Sequence, residues 1–246
     1  MARPLIGVTC ALSSERCSDL SPTYPFYHVY AWYCEAIWRA GGRPVILPPL
    51  VGAEVDGEAE ELVSRLDGIF FSGGGMSTAP KAEVQPRMME TQPIRSAAEC
   101  ALVRAGRARK LPMIGSCRGN QIICEGLGGA LSTETVAGHN QKFSYYYPSH
   151  PIEIVKGSKL AALAGEESWM VNSMHCQYIE TCPEGFVPNA FGPEKTIEGM
   201  ESVDPDWFCV TFQYHPEVMI FDKRALDVMS GFVNAAKAYA EKKNSR

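Results

Sequence analysis

The chain has 246 residues, 46% of them hydrophobic and 21% charged, and a formal net charge of −5. That length suits one α/β domain with a single core, and the composition is that of an ordinary globular chain. Mild acidity without a basic cluster argues against nucleic acid or an anionic membrane surface as a partner. No run approaches the roughly 18 consecutive apolar residues of a membrane span.

The first residues hold one arginine and a short apolar run. A secretory leader is the rival reading, but Pro4 and the shortness of the run favour a first strand over residues 5–9. Residues 28–40 carry a helical pattern that stops at Gly41-Gly42. A strand over 44–47 is closed by Pro48-Pro49, and a short helix is predicted over 58–66. The strand 68–71 runs directly into Ser72-Gly73-Gly74-Gly75. A helix over 94–107, a strand over 112–115 and a helix over 119–127 follow. This βαβα order predicts an α/β fold whose mostly parallel central sheet is flanked by helices. In the second half, strands over 152–155, 169–171, 186–190, 196–200 and 208–212 are closely spaced and predict a small antiparallel extension. An amphipathic helix over 225–242 ends the series. No repeat or linker interrupts residues 1–246, so one domain is expected. Residues 77–92 and 137–149 are irregular, as binding loops or lids often are.

The nine cysteines are odd in number and show no C-x-x-C spacing. This argues against a disulfide framework and against a zinc cage, so no metal is expected. Most read as small buried hydrophobes of a reducing, cytoplasmic compartment.

Cys117 is the exception. The run Gly115-Ser116-Cys117-Arg118-Gly119 lies between a predicted strand and a predicted helix. A G-x-C-x-G turn there is a nucleophile elbow with cysteine in the serine position. The glycines permit a turn too tight for side chains. The cysteine is held in a strained backbone at a helix N-terminus, where the dipole favours a thiolate. The backbone N–H of Arg118 then faces an oxyanion forming on the attacked carbon. A cysteine nucleophile needs a base, and the base needs an orienting acceptor. His215-Pro216-Glu217 closes an apolar strand and provides both. The turn after strand 68–71 lies where sites of open parallel sheets occur, and Gly74 and Gly75 are candidate backbone donors to the same oxyanion. A phosphate cradle is the rival for these glycines, but neither G-K-[ST] nor G-x-G-x-x-G is present.

These motifs resemble the class I glutamine-amidotransferase-like superfamily, and within it the gamma-glutamyl-gamma-aminobutyrate hydrolase family. The matching residues include Pro4-Leu5-Ile6-Gly7-Val8-Thr9, Gly41-Gly42, Ser72-Gly73-Gly74-Gly75, the elbow from Gly115 to Gln121, Asn172-Ser173-Met174-His175-Cys176-Gln177, Glu198-Gly199-Met200-Glu201 and Gln213-Tyr214-His215-Pro216-Glu217. They span nearly the whole chain. The resemblance implies a flavodoxin-like fold of the class I glutamine amidotransferase type and a Cys117-His215-Glu217 triad. It implies cleavage of a small-molecule gamma-glutamyl amide through a gamma-glutamyl thioester, without metal or organic cofactor, in a chain that can form a homodimer. Gln121 matches a position that contacts the glutamyl moiety, and His175 lies in a segment assigned to the substrate site or its support, with a structural role as the alternative. Two departures stand out. Met76-Ser77-Thr78-Ala79-Pro80 replaces the aspartate and Pro-x-x-Tyr-Gly run common in the family, and Arg95-Ser96 replaces Arg-Asp. A glutaminase subunit feeding ammonia to a separate synthase and a non-catalytic binding protein on the same fold are the competing functions.

Overall fold

A computed structural model describes residues 2–16, 23–74, 92–165, 168–219 and 221–245. The first half contains β1 (Leu5–Thr9), β2 (Ala11–Arg16), β3 (Thr23–His28), α1 (Ala31–Arg39), β4 (Arg43–Leu47), α2 (Val55–Arg65), β5 (Gly68–Phe71), α3 (Pro93–Arg109), β6 (Met113–Ser116) and α4 (Arg118–Gly126). The second half contains β7 (Ala130–Leu131), β8 (His150–Ile154), α5 (Lys159–Ala164), β9 (Trp169–Val171), β10 (Ile179–Thr181), β11 (Phe186–Phe191), β12 (Ile197–Ser202), β13 (Cys209–Phe212) and α6 (Lys223–Asn244).

The sheet runs in the order β4-β1-β5-β6-β13-β12-β11-β8-β9, with β10 and β7 attached beside β12. β4, β1, β5, β6 and β13 are mutually parallel. Their central members are buried along every residue of β5, β6 and β13, as parallel strands covered on both faces are. Side-chain alternation divides the core in two. Ile6, Val8, Phe70, Ile114 and Val210 face α1, α5 and α6. Ile69, Phe71, Met113 and Cys209 face α2, α3 and α4. Gly68, where β5 starts, lets Phe232 and Ala236 of α6 pack close, since a Cβ there would meet them at 3.1 to 3.3 Å. Among the described residues, no helix is long and apolar enough to cross a membrane.

The fold class is the expected one, with three differences. Residues 208–212 group with the antiparallel extension by sequence, but β13 is parallel to β6 and belongs to the central sheet. The chain reaches it through β12, which is antiparallel to both β11 and β13, and this return aims the end of β13 at the same sheet edge as β6. The β2–β3 hairpin, which forms its own sheet, is not anticipated by the sequence pattern, nor are α5, β7 and β10. The hairpin has Pro25 inside a strand and a polar Ser-Ser-Glu run, and the others have six, two and three residues, so none carries a readable period. Residues 137–149 form no helix or strand beyond one bridge from Asn140 to Met174.

Gly119 marks where α4 crosses β5 most closely: a Cβ there would lie 1.9 Å from the Phe71 carbonyl oxygen, a backbone atom that cannot step aside. Gly57 in α2 has nothing within 4 Å of such a Cβ. Gly119→Ala is expected to lower unfolding free energy by about 3 kcal/mol or to prevent folding. Gly57→Ala should raise it by about 0.5 kcal/mol through helix propensity. Urea unfolding of both variants checks the pair, and a neutral Gly119→Ala would contradict this packing.

Candidate active site

The carboxyl ends of β5, β6 and β13 meet at one edge, and the candidate residues follow directly from them. Cys117 is the first residue past β6 and the N-cap of α4, with φ 52° and ψ −108°. Its backbone N–H donates to Phe212 O at 2.8 Å, which locks the elbow to the end of β13. Both flanking glycines are required by contact. A Cβ on Gly115 would lie 2.6 Å from Gly119 backbone atoms, and Gly119 abuts Phe71 as described. The Cys117 thiol is 6% exposed, and its Sγ lies 3.7 Å from the Met174 carbonyl oxygen.

His215 stands three residues past β13, with its imidazole in hydrogen-bonding reach of Cys117. Its Nδ1 is 2.5 Å from Glu217 Oε1, and Glu217 is fully buried. The two-residue offset works because His215, Pro216 and Glu217 lie in a turn, closed by Val218 N–H donating to His215 O at 3.1 Å. Asn172, just after β9, clamps the same turn. Its Oδ1 accepts from His215 N–H at 2.8 Å and its Nδ2 donates to His215 O at 3.2 Å. Burial would depress the His215 pKa, but the Glu217 charge and the hydrogen bonds to Cys117 and Glu217 outweigh it. The imidazole is raised from 6.5 to about 10. The arrangement therefore holds a protonated imidazole beside the Cys117 thiol, a proton donor next to a candidate nucleophile.

Tyr33, from α1, completes the centre and has no signal of its own in the sequence, where it is one more aromatic on an apolar helix face. Its Oη accepts from Gly73 N–H at 2.7 Å and lies 3.5 Å from His215 Nδ1. Burial, and next the Glu217 charge, hold its hydroxyl well above the usual pKa, so it stays neutral. Gly73 admits this approach because a Cβ there would come within 2.7 Å of Tyr33 Oη and 2.9 Å of the His215 ring.

The glycine turn is held from behind by Arg95, 1% exposed. Its guanidinium donates to Ser72 O at 2.9 Å, Gly73 O at 3.1 Å and Gly74 O at 3.3 Å. Glu99 neutralises it at 2.9 Å and also lies 3.3 Å from the Arg118 guanidinium. Arg118 Nη2 donates to Ser96 Oγ at 2.7 Å, so the serine at this departure from the family pattern has a defined partner. With three carbonyls turned toward Arg95, the opposite side of the turn faces Cys117. Gly74 has φ +83°, a conformation glycine adopts at no steric cost. Gly75 and residues 76–91, which include the departing run 76–80 and most of the irregular 77–92 segment, lie outside the described residues.

Gln121 sits one turn along α4 from Cys117, with its Nε2 donating to Gln177 O at 3.1 Å and Gln213 Oε1 at 3.3 Å. His175 is 1% exposed, and its ring contacts are His139, Glu198 and the Gln177 carbonyl. Burial lowers its pKa to about 4, so the ring is neutral. The structure thus joins Cys117, His215, Glu217, Gly74 and Gln121 in one region; the His175 ring packs with His139 and Glu198 but shares the Gln177 carbonyl with Gln121, and the neighbouring Met174 carbonyl faces Cys117.

The family model for peptidase C26 matches residues 4–217. A Mycobacterium tuberculosis protein provisionally named a glutamine amidotransferase is 32% identical over 246 residues, covering 97% of this chain and 77% of its own. The gamma-glutamyl-gamma-aminobutyrate hydrolase of Escherichia coli strain K12 is 26% identical over 235 residues, covering 88% of this chain and 87% of its own. A crystal structure from Thermoplasma acidophilum, provisionally described as that of a GMP synthase subunit, matches with a TM-score of 0.65 at 16% identity. It covers 99% of this chain and 100% of that one, a likeness of fold.

The His215 pairing has a pH signature. A group whose pKa is raised on folding stabilises the native state fully below its unfolded pKa, and the effect is lost as pH rises through the folded value. The His215 contribution is therefore complete below about pH 6.5 and gone past about pH 10. Between those limits the wild type should lose stability more steeply than Glu217→Gln in urea denaturation, and equal slopes would contradict the pairing.

Proposed function

The chain belongs to the peptidase C26 family of amide-bond hydrolases, and we propose that it cleaves the gamma-glutamyl amide bond of a small gamma-glutamyl amine or amino acid. The observation that carries the reading is the contact of the Cys117 thiol, on its strained elbow, with the imidazole that Glu217 orients.

In this reading the Cys117 thiolate attacks the side-chain carbonyl carbon of the gamma-glutamyl group. The carbonyl electron pair moves to oxygen, and the backbone N–H groups of Arg118 and the Gly74–Gly75 turn receive that oxyanion. The intermediate collapses with loss of the amine, which takes its proton from His215, and a gamma-glutamyl thioester remains on Cys117. Water then gives a proton to His215 and attacks the thioester, releasing glutamate and restoring the thiolate–imidazolium pair. Glu217 keeps the ring in the tautomer and direction both half-reactions need. Gln121, fixed by Gln177 and Gln213, supports the glutamyl half of the pocket.

A second reading is transfer of ammonia from glutamine to an acceptor enzyme. The 32% identity to a provisionally named glutamine amidotransferase favours it. The two readings share the triad and differ in the leaving group. For the first, kcat/KM for gamma-glutamyl amides of small amines should exceed that for glutamine; the reverse ranking, or turnover only with an added synthase, would establish the second.

The triad itself is tested by substitution. Cys117→Ala and His215→Ala should each lower kcat by at least about 10³-fold with the fold intact, and Glu217→Gln should cost less because it only orients the base. A glutamine-directed alkylating reagent should label Cys117. Labelling mainly at Cys176 or Cys182, or kcat/KM of His215→Ala near wild type, would remove the assignment.

A further inference from the structure

Three of the chain's five histidines converge outside the triad. His139 follows β7 in the irregular 137–149 segment, His150 opens β8, His175 follows β9, and Glu198 lies in β12. All four are buried, and their inward ligand atoms lie within 4.8 Å of one another. His139 Nδ1 is 3.1 Å from Glu198 Oε1 and 3.2 Å from His175 Nε2, and His175 Nε2 is 3.6 Å from Glu198 Oε1.

The outward contacts settle what faces inward. His150 Nδ1 lies 3.1 Å from Pro151 O and His175 Nδ1 lies 3.0 Å from Gln177 O. A carbonyl oxygen only accepts, so each of these nitrogens carries the proton and leaves a lone pair on Nε2. His139 Nε2 lies 2.9 Å from the Glu194 carboxylate and is a donor for the same reason, which directs its Nδ1 inward. Three imidazole nitrogens and a carboxylate therefore confront one another in a buried volume. A second proton on His139 would serve Glu198 Oε1 or His175 Nε2. It would leave His150 Nε2 and Glu198 Oε2 still buried without a partner, as both are. Buried polar atoms left unpaired in this way lose their hydration without compensation.

We propose that His139, His150, His175 and Glu198 bind one divalent transition-metal ion, with zinc the first candidate. The separations of 3.1, 3.2 and 3.6 Å bracket the ~3.3 Å edge expected of a tetrahedron with Zn–N bonds of about 2.0–2.1 Å. Each histidine also holds a carbonyl or carboxylate on its outer nitrogen, the support that orients metal-bound imidazoles. Four protein ligands describe a structural ion. It would tie the 137–149 segment to β8, β12 and the stretch after β9. That stretch carries Met174, whose carbonyl meets Cys117, and Asn172, which clamps His215. Cysteine spacing is silent about this site because no ligand is a thiol and the four positions span residues 139 to 198.

Tag-free protein, stripped with a chelator and reloaded with Zn²⁺, should retain about one equivalent through gel filtration by elemental analysis, in wild type and Cys117→Ser alike. Glu198→Gln, nearly isosteric, and His150→Ala should each retain less than about a tenth of an equivalent, with circular dichroism reporting their fold. Co²⁺ loading of the wild type is independent of any variant. It should give intense visible bands of tetrahedral nitrogen and oxygen ligation without sulfur charge transfer. Failure of the wild type to retain zinc, cobalt spectra of thiolate ligation, or full retention by folded Glu198→Gln would overturn the proposal.

Discussion

Cys117 holds a backbone conformation that L-residues avoid, and the surrounding structure is arranged so that it cannot relax. Holding such a residue costs on the order of 1–3 kcal/mol. The opposing contacts are the Cys117 N–H bond to Phe212 O, the packing of Gly119 on Phe71 and the burial of every residue of β6. Relaxing the elbow would break β6 from β13 and lift α4 off β5. The same lock sets the position of His215, because Phe212 ends the strand from which it emerges. One hydrogen bond thus fixes both the thiol and the place of its partner.

Charge within the site follows from burial as much as from pairing. Glu217 and Glu99 are both removed from water, and each sits against a cation: Glu217 against His215, Glu99 against Arg95 and Arg118. The first pair poises a proton next to the thiol. The second directs three carbonyls of the Ser72–Gly74 turn away from the thiol, which leaves the other side of the turn for an oxyanion. Removing Glu99 would leave the Arg95 charge buried without its carboxylate, a loss of about 3–5 kcal/mol.

What is legible in the sequence is what is local. The elbow, the H-P-E turn and the glycine run each fit in a few residues whose steric or chemical demand is visible in the letters. The strands that pack on both faces appear as short apolar runs, and the parallel half of the sheet follows from them. Tyr33, Arg95 and the Asn172 clamp act on residues 40, 22 and 43 positions away, so no local spacing reports them. Residues 208–212 read as one more strand of the extension because their direction depends on β12 crossing back, a matter of connection rather than of composition. His175 is recognisable as part of a segment, but its ring belongs with His139, His150 and Glu198, which are dispersed along the chain.

The central claim is that Cys117 carries an acyl group during turnover. Rapid mixing with a chromogenic gamma-glutamyl anilide, acid quenching and intact-protein mass spectrometry tests it directly. The account predicts a burst of amine release together with a mass gain of one glutamyl unit, mapped by peptide analysis to Cys117. Amine release at a steady rate with no covalent adduct, or an adduct on another residue, would contradict it.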